Sequence, residues 1–305
     1  MTKLSRREIL LTPVALAAAS AVPSAAAGKK MTLCMHQATC IGAGYRKSLE
    51  GWARAGIKYV EIVNTLLEEF LKTDTMQAAR RILDDLGLTP VHGAANVSGL
   101  WETNPNRAAS LETLKKRCEM FAGLGIDKVY SPTGTASQRA ITPDDYKSAV
   151  DNIREAGDVA KQFKQSLHIE FLRSSIFIAT LPTLLKLTRA AAHPNIAPML
   201  DCYHFWSGNN KFEDLDMLQH GEIAHVHFQD VADIPRELLG NSNRLIPGDG
   251  ISPLTRILGK LKEKGYAGPL SVELFLPQFQ QGDPYEVARE IREKAEVVMR
   301  RARVG

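Results

Sequence analysis

Cysteine is scarce in this chain and never closely spaced: Cys34, Cys40, Cys118 and Cys202 are the four present, and no two form a CxxC pair. That excludes a zinc knuckle and offers no disulfide framework, so the thiols read as buried packing groups. Neither charge sign dominates, with 38 Lys and Arg against 34 Asp and Glu, and the KK and RR pairs are scattered over segments of helical period. Nucleic acid demands clustered cations and is excluded as a partner. A membrane-spanning run is missing as well. The apolar stretch Ile9 to Val22 has 14 residues, too few for the roughly 30 Å hydrocarbon core, so no stable membrane anchor is expected. What remains is a chain of 305 residues, 44% hydrophobic, enough for one large core.

The first 27 residues stand apart: a basic start, an apolar middle and small residues ending at Ala25-Ala26-Ala27, the layout of an export signal. "SRREIL" resembles the twin-arginine signal, with Arg6-Arg7 paired and Ile where that motif usually has Phe. Residues 1–27 are therefore expected to be cleaved after Ala27, leaving 28–305 as a catalytic domain exported to the periplasm or the medium. Lys3, Arg6, Arg7 and Glu8 leave with the signal, taking the basic and acidic counts to 35 and 33, a net charge of +2.

Across residues 28–305, short apolar runs alternate with segments of helical period: "MTLCMH", "YVEIV", "TPVHGA", "KVYSPTG", "SLHIEFL", "APMLD", "AHVHFQD" and "PLSVELF". Eight such βα units predict an α/β fold, a single closed (β/α)8 TIM barrel. The intervening helices are amphipathic, with Ala79, Ile82, Leu83 and Leu86 on one stripe and Leu111, Leu114, Cys118 and Phe121 on another. Glycines in "LGL", "LGI" and "KGYAG" punctuate the helix ends.

Barrel strands present their C-terminal ends to the active site. The fifth to eighth runs each carry a ligand-type residue there: Glu170, Asp201, His227 and Glu273, spaced 31, 26 and 46 residues apart. Three carboxylates and an imidazole form a hard, mostly oxygen donor set. It suits one divalent ion, Mn²⁺ first, with Mg²⁺, Co²⁺ or Zn²⁺ open. Without a cation, three crowded carboxylates would repel one another and take up protons. The longest interval holds "NRLIPGDG" (Asn243 to Gly250), read as a folded loop able to approach a ligand. His225 lies on the same strand face as His227, so either could be the ligand, and position nearer the strand end favours His227. His168, His36 and His92 read as interior or site-edge histidines. Trp101 in "SGLWET" and Trp206 are placed on loops at the active face, where an aromatic ring can cover a sugar or pack at the rim, and Glu61, ending the second run, contacts substrate or anchors a loop.

In their order, "AGIKYVEI", "HIEFL", "HPNIAPMLDCYH", "HVHFQD", "NRLIPGDG" and "GYAGPLSVEL" resemble the xylose isomerase-like TIM barrels, the sugar isomerases and epimerases that include tagatose/psicose 3-epimerases, inosose isomerases and hydroxypyruvate isomerases. The resemblance implies that Glu170, Asp201, His227 and Glu273 bind the metal. It implies that His204 and Arg244 hold substrate oxygens. It also implies that Glu170 and Glu273 act as catalytic acid and base on opposite faces of the sugar, with the metal stabilising an enediolate.

The leading expectation is a divalent-metal-dependent sugar or cyclitol isomerase or epimerase working by proton abstraction next to a carbonyl. A lyase or dehydratase acting on a 3-keto sugar or related keto compound uses the same first step. A non-catalytic exported sugar-binding protein is the third reading, and the ligand set argues against it. Endonuclease IV-type repair enzymes share the fold but resemble a richer, multi-metal site with a basic face, which this chain lacks. The partner expected is a small sugar, and a homo-oligomer is compatible with the sequence.

Overall fold

Eight parallel strands close on one another in the computed structural model, which describes residues 30–134 and 140–305. The expected export signal, residues 1–27, lies outside the described residues. The strands are β1 (Thr32–His36), β2 (Tyr59–Val63), β3 (Thr89–Ala94), β4 (Lys128–Pro132), β5 (Ser166–Glu170), β6 (Ile196–Asp201), β7 (Val226–His227) and β10 (Pro269–Val272). Neighbours in sequence are neighbours in the sheet, and β1 closes the barrel against β10. Two further short strands, β8 (Asp230–Val231) and β9 (Arg244–Leu245), pair antiparallel outside the barrel.

Each apolar run forms a strand, and the helices wrap the barrel as their stripes require. Ala79, Ile82 and Leu83 are buried on Met76–Asp85, and Leu114, Cys118 and Phe121 on Arg107–Gly123. Side chains start several helices. Thr75 Oγ1 accepts from Ala78 N–H, and Asp145 Oδ2 accepts from both the backbone N–H and the hydroxyl of Thr142 at the head of Pro143–Gln162. Gly125 (φ 80°) and Gly265 (φ 85°) turn the chain from helix towards strand in the left-handed region. All four cysteines are free and buried, as their spacing implied. Among the described residues no helix is long and apolar enough to cross a membrane.

The seventh unit departs from the simple pattern. Its regular strand is two residues long, although Leu200 N–H donates to His225 C=O and Phe228 N–H to Ser271 C=O, which extends the pairing on both sides. No helix follows directly. The chain instead makes the β8–β9 excursion before Leu254–Glu263, and that excursion carries Arg244 back over the barrel mouth.

Candidate active site

Glu170, Asp201 and His227 are the last residues of β5, β6 and β7, and Glu273 follows β10 directly. The parallel register brings them to one level: Asp201 pairs with His227, and Ser271, two residues before Glu273, also lies beside His227. One ligand-type atom from each of the four lies within 4.8 Å of the others, and all four residues are buried. His227 Nδ1 is 2.9 Å from Glu170 Oε1, 3.5 Å from Glu273 Oε2 and 3.6 Å from Asp201 Oδ2. The structure therefore assembles this sequence-predicted set around a single point and leaves His225 out of it.

Arg244 enters from the excursion. Its Nη1 donates to Asp201 Oδ2 and Glu273 Oε2, both at 2.8 Å, and Nη2 lies 3.0 Å from His204 Nε2. The guanidinium carbon lies 4.7 Å from the Tyr203 ring centroid and 5.0 Å from that of Phe275, which holds the planar group between two aromatic faces. Arg244 and His204 thus meet at the rim of the four-residue cluster. Gln229 Nε2 donates to Asp201 Oδ2 at 2.7 Å and helps orient that oxygen.

Charge is the dominant fact of this site. Burial pushes the Glu170 carboxyl up to about 8, with Asp201 and Glu273 adding to the rise and His227 opposing it. Burial would raise Glu273 too, but His227, His36 and Arg244 outweigh it and hold that carboxyl low. For Asp201, Arg244 and His204 overcome burial in the same way. Burial alone would lower His227, yet the carboxylates of Glu273, Glu61 and Glu170 hold its imidazole well above the usual range. A site that must store a proton on Glu170 and another on His227 is short of positive charge. The donor set, three carboxylates and one imidazole nitrogen within reach of one point, fits a divalent ion with hard oxygen ligands.

Two expected contacts are corrected. Glu61 does not reach the mouth: it is fully buried inside the barrel, with His92 Nδ1 and His225 Nε2 each 3.0 Å from its oxygens and His227 Nε2 3.3 Å away. Two residues of β2 follow it, so it sits one layer below the strand ends. Trp101 does not present its ring to the site. It is completely buried in the main apolar core, and its indole Nε1 donates to the Pro132 carbonyl at 2.9 Å. Trp206 is partly exposed on Cys202–Ser207, with Arg236 over its ring.

Two residues at the site, Tyr130 and Arg173, carry no motif that marked them, and His36, read as an interior or site-edge histidine, reaches the cluster. His36 Nδ1 accepts from Ala38 N–H at 3.1 Å, which leaves Nε2 facing Tyr130 Oη at 3.2 Å and Glu273 Oε1 at 3.5 Å. Tyr130 was hidden in "KVYSPTG". Arg173, beyond β5, donates from its guanidinium to the carbonyls of Ser207, Arg236 and Leu239 and from its backbone N–H to His204 Nδ1. It ties the excursion to the helix that carries His204.

Comparison with known proteins places these features. A family profile described as "Xylose isomerase-like TIM barrel" matches residues 49–301. The inosose isomerase of Halalkalibacterium halodurans is 28% identical over 257 residues, covering 82% of this chain and 90% of that protein. The 3-dehydroshikimate dehydratase of Pseudomonas putida is 24% identical over 238 residues, 77% of this chain but 36% of the longer dehydratase. Among solved structures, the IolI protein with a bound zinc atom superposes with a TM-score of 0.81 at 23% identity, covering 88% of this chain and 98% of that one.

Proposed function

We propose, from the premise that the chain belongs to the xylose isomerase-like TIM barrel family, that it is a divalent-metal-dependent isomerase or epimerase of a sugar or cyclitol, working by proton abstraction next to a carbonyl. The observation that carries this reading is the convergence of Glu170, Asp201, His227 and Glu273 from four adjacent strands onto one buried point. Similarity to an inosose isomerase supports the substrate class, and the zinc of the similar IolI structure supports a metal.

Glu170, Asp201, His227 and Glu273 would hold the ion, which when bound supplies Lewis acidity to neighbouring carbonyl and hydroxyl oxygens. Its identity in this reading is Mn²⁺, because oxygen donors outnumber nitrogen three to one. In this reading Glu170 and Glu273 take a proton from the carbon beside the carbonyl and return it, the work of a paired general base and acid. Arg244 and His204 sit against the cluster, where a donor fork and an imidazole nitrogen can fix substrate oxygens.

A second reading has its own support in the similarity to a 3-dehydroshikimate dehydratase: the same proton removal followed by expulsion of a β-substituent. One experiment tests both. The purified protein is assayed for metal content and then incubated in D₂O with inososes, free ketoses and 3-keto glycosides while NMR follows deuterium beside the carbonyl. Exchange with an isomerised product supports the leading reading, and exchange with loss of a substituent supports the second. Folded protein with no metal and no exchange rejects both. From the character of residues 1–27 we further propose that the enzyme works outside the cytoplasm; cell fractionation with N-terminal sequencing checks this, and an intact N-terminus in the cytoplasmic fraction rejects it.

A further inference from the structure

The interior of a TIM barrel is ordinarily filled with branched apolar side chains. Here the layer below the four-residue cluster holds Glu61, His92, His168 and His225, all buried. Buried polar groups are costly unless their hydrogen bonds are complete, so each proton in this layer has a determinable place.

Glu61 sets the direction. A carboxylate only accepts, and three imidazole nitrogens face its two oxygens: His92 Nδ1 at 3.0 Å, His225 Nε2 at 3.0 Å and His227 Nε2 at 3.3 Å. Each of these nitrogens therefore carries hydrogen. With hydrogen on Nδ1, neutral His92 must accept at Nε2, where His168 Nδ1 lies 2.7 Å away and so donates. His168 in turn accepts at Nε2 from Ser166 Oγ at 3.1 Å. The result is a one-way chain running up the barrel, Ser166 to His168 to His92 to Glu61, with His225 and His227 donating to the same carboxylate. The group is not a second metal site: the His92 and His225 rings stack with centroids 4.0 Å apart and planes 7° from parallel, so their lone pairs run side by side and cannot converge on one ion at about 2.0 Å.

Resting on the functional reading above, we propose that Glu61 is a positioning residue: by taking the Nε2 hydrogen of His227 it commits Nδ1 of that ring to the metal, and the His92–His168–Ser166 chain holds Glu61 in the orientation that does so. Nδ1 is the nitrogen that faces Glu170, Asp201 and Glu273, so the ring is aimed by the group behind it.

The test reads protons and metal separately. In ¹⁵N NMR of the metal-free wild-type protein, His92 and His168 should carry hydrogen on Nδ1 and His225 on Nε2; hydrogen on His92 Nε2 overturns the chain. In Glu61→Gln one half of the side chain becomes a donor, so His92 or His225 should reverse its tautomer. Affinity for Mn²⁺ and Zn²⁺, each titrated alone, should fall by about 10–100-fold. Glu61→Asp should keep the wild-type tautomers and recover part of the affinity. Wild-type affinity in a folded Glu61→Gln variant overturns the role of Glu61 while leaving the metal reading intact. A wild-type protein that takes up neither ion overturns the metal reading first, and the role with it. If Glu61→Gln does not fold, the wild-type tautomers and Glu61→Asp decide: wild-type tautomers with affinity above one-hundredth of wild type support the role, and reversed tautomers overturn it.

Discussion

Asp201 uses its two oxygens for two purposes. Oδ1 accepts from His204 N–H at 2.8 Å and caps the helix Cys202–Ser207, while Oδ2 faces Arg244, Gln229 and His227. An aspartate at a strand end is ordinarily a helix cap, and here it is a cap and a candidate ligand at once. Asp201→Asn should therefore keep the cap, and with it a folded protein by circular dichroism, but lose metal binding by calorimetry; full metal affinity in that variant would remove Asp201 from the ligand set. Glu273→Gln should fold and lose at least about 10²-fold in turnover, with weaker metal binding, and near-normal activity at controlled metal would sink the proposed mechanism. The carboxyl of Glu170, pushed up to about 8 by burial, gives a sign to the pH dependence. The metal-free protein holds a proton there and another on His227 at neutral pH, and a bound cation must displace both, so apparent affinity should rise with pH through about 8. Calorimetric titration in buffers of different ionisation heat should register the released protons, and an affinity flat from pH 6 to 9 would contradict the assignment.

At the scale of elements, the excursion between β7 and the helix Leu254–Glu263 decides how the site is closed. It delivers Arg244, and its hold on the barrel is mainly through carbonyls: Arg173 binds those of Arg236 and Leu239, and Tyr203 Oη donates to the Gly240 carbonyl at 2.7 Å. Removing the Arg173 fork leaves those carbonyls to water. Arg173→Ala should accelerate limited proteolysis between residues 232 and 243 several-fold and raise KM more than it lowers kcat, since the reacting carboxylates stay in place. Unchanged cleavage and KM would mean that the excursion holds itself. The helix Pro143–Gln162 offers an independent check on local design: Thr142→Ala removes the hydroxyl that donates to Asp145 Oδ2 at its head and should cost about 1 kcal/mol in urea unfolding.

For the whole molecule, a closed barrel has no sheet edge to pair with other chains, and its stability is linked to whatever the mouth binds. An ion at about 100 times its Kd stabilises the folded state by about 2.7 kcal/mol, which in a barrel of this size should raise Tm by several degrees. The same scan on Asp201→Asn should show no shift. Much of this was legible beforehand, and the reason is periodicity. Glu170, Asp201, His227 and Glu273 each lie at or near the C-terminal end of an apolar run, and parallel strands with regular crossovers bring run ends together wherever the barrel closes. Glu61 was expected to end its run, but two strand residues follow it, and "YVEIV" by itself does not tell an interior carboxylate from one at the rim. That needed the register of β2 against β1 and β3, in which Glu61 lies between His36 and His92. Trp101 lies on a loop, where no period dictates direction, and only packing decided that its ring turns into the core. So the sequence by itself determined the eight-stranded barrel and the four residues at its mouth, because those follow from hydrophobic spacing. The tertiary structure alone decided which carboxylate lies beneath the cluster and how Arg244 reaches over it, because those depend on contacts between strands and loops far apart in the chain.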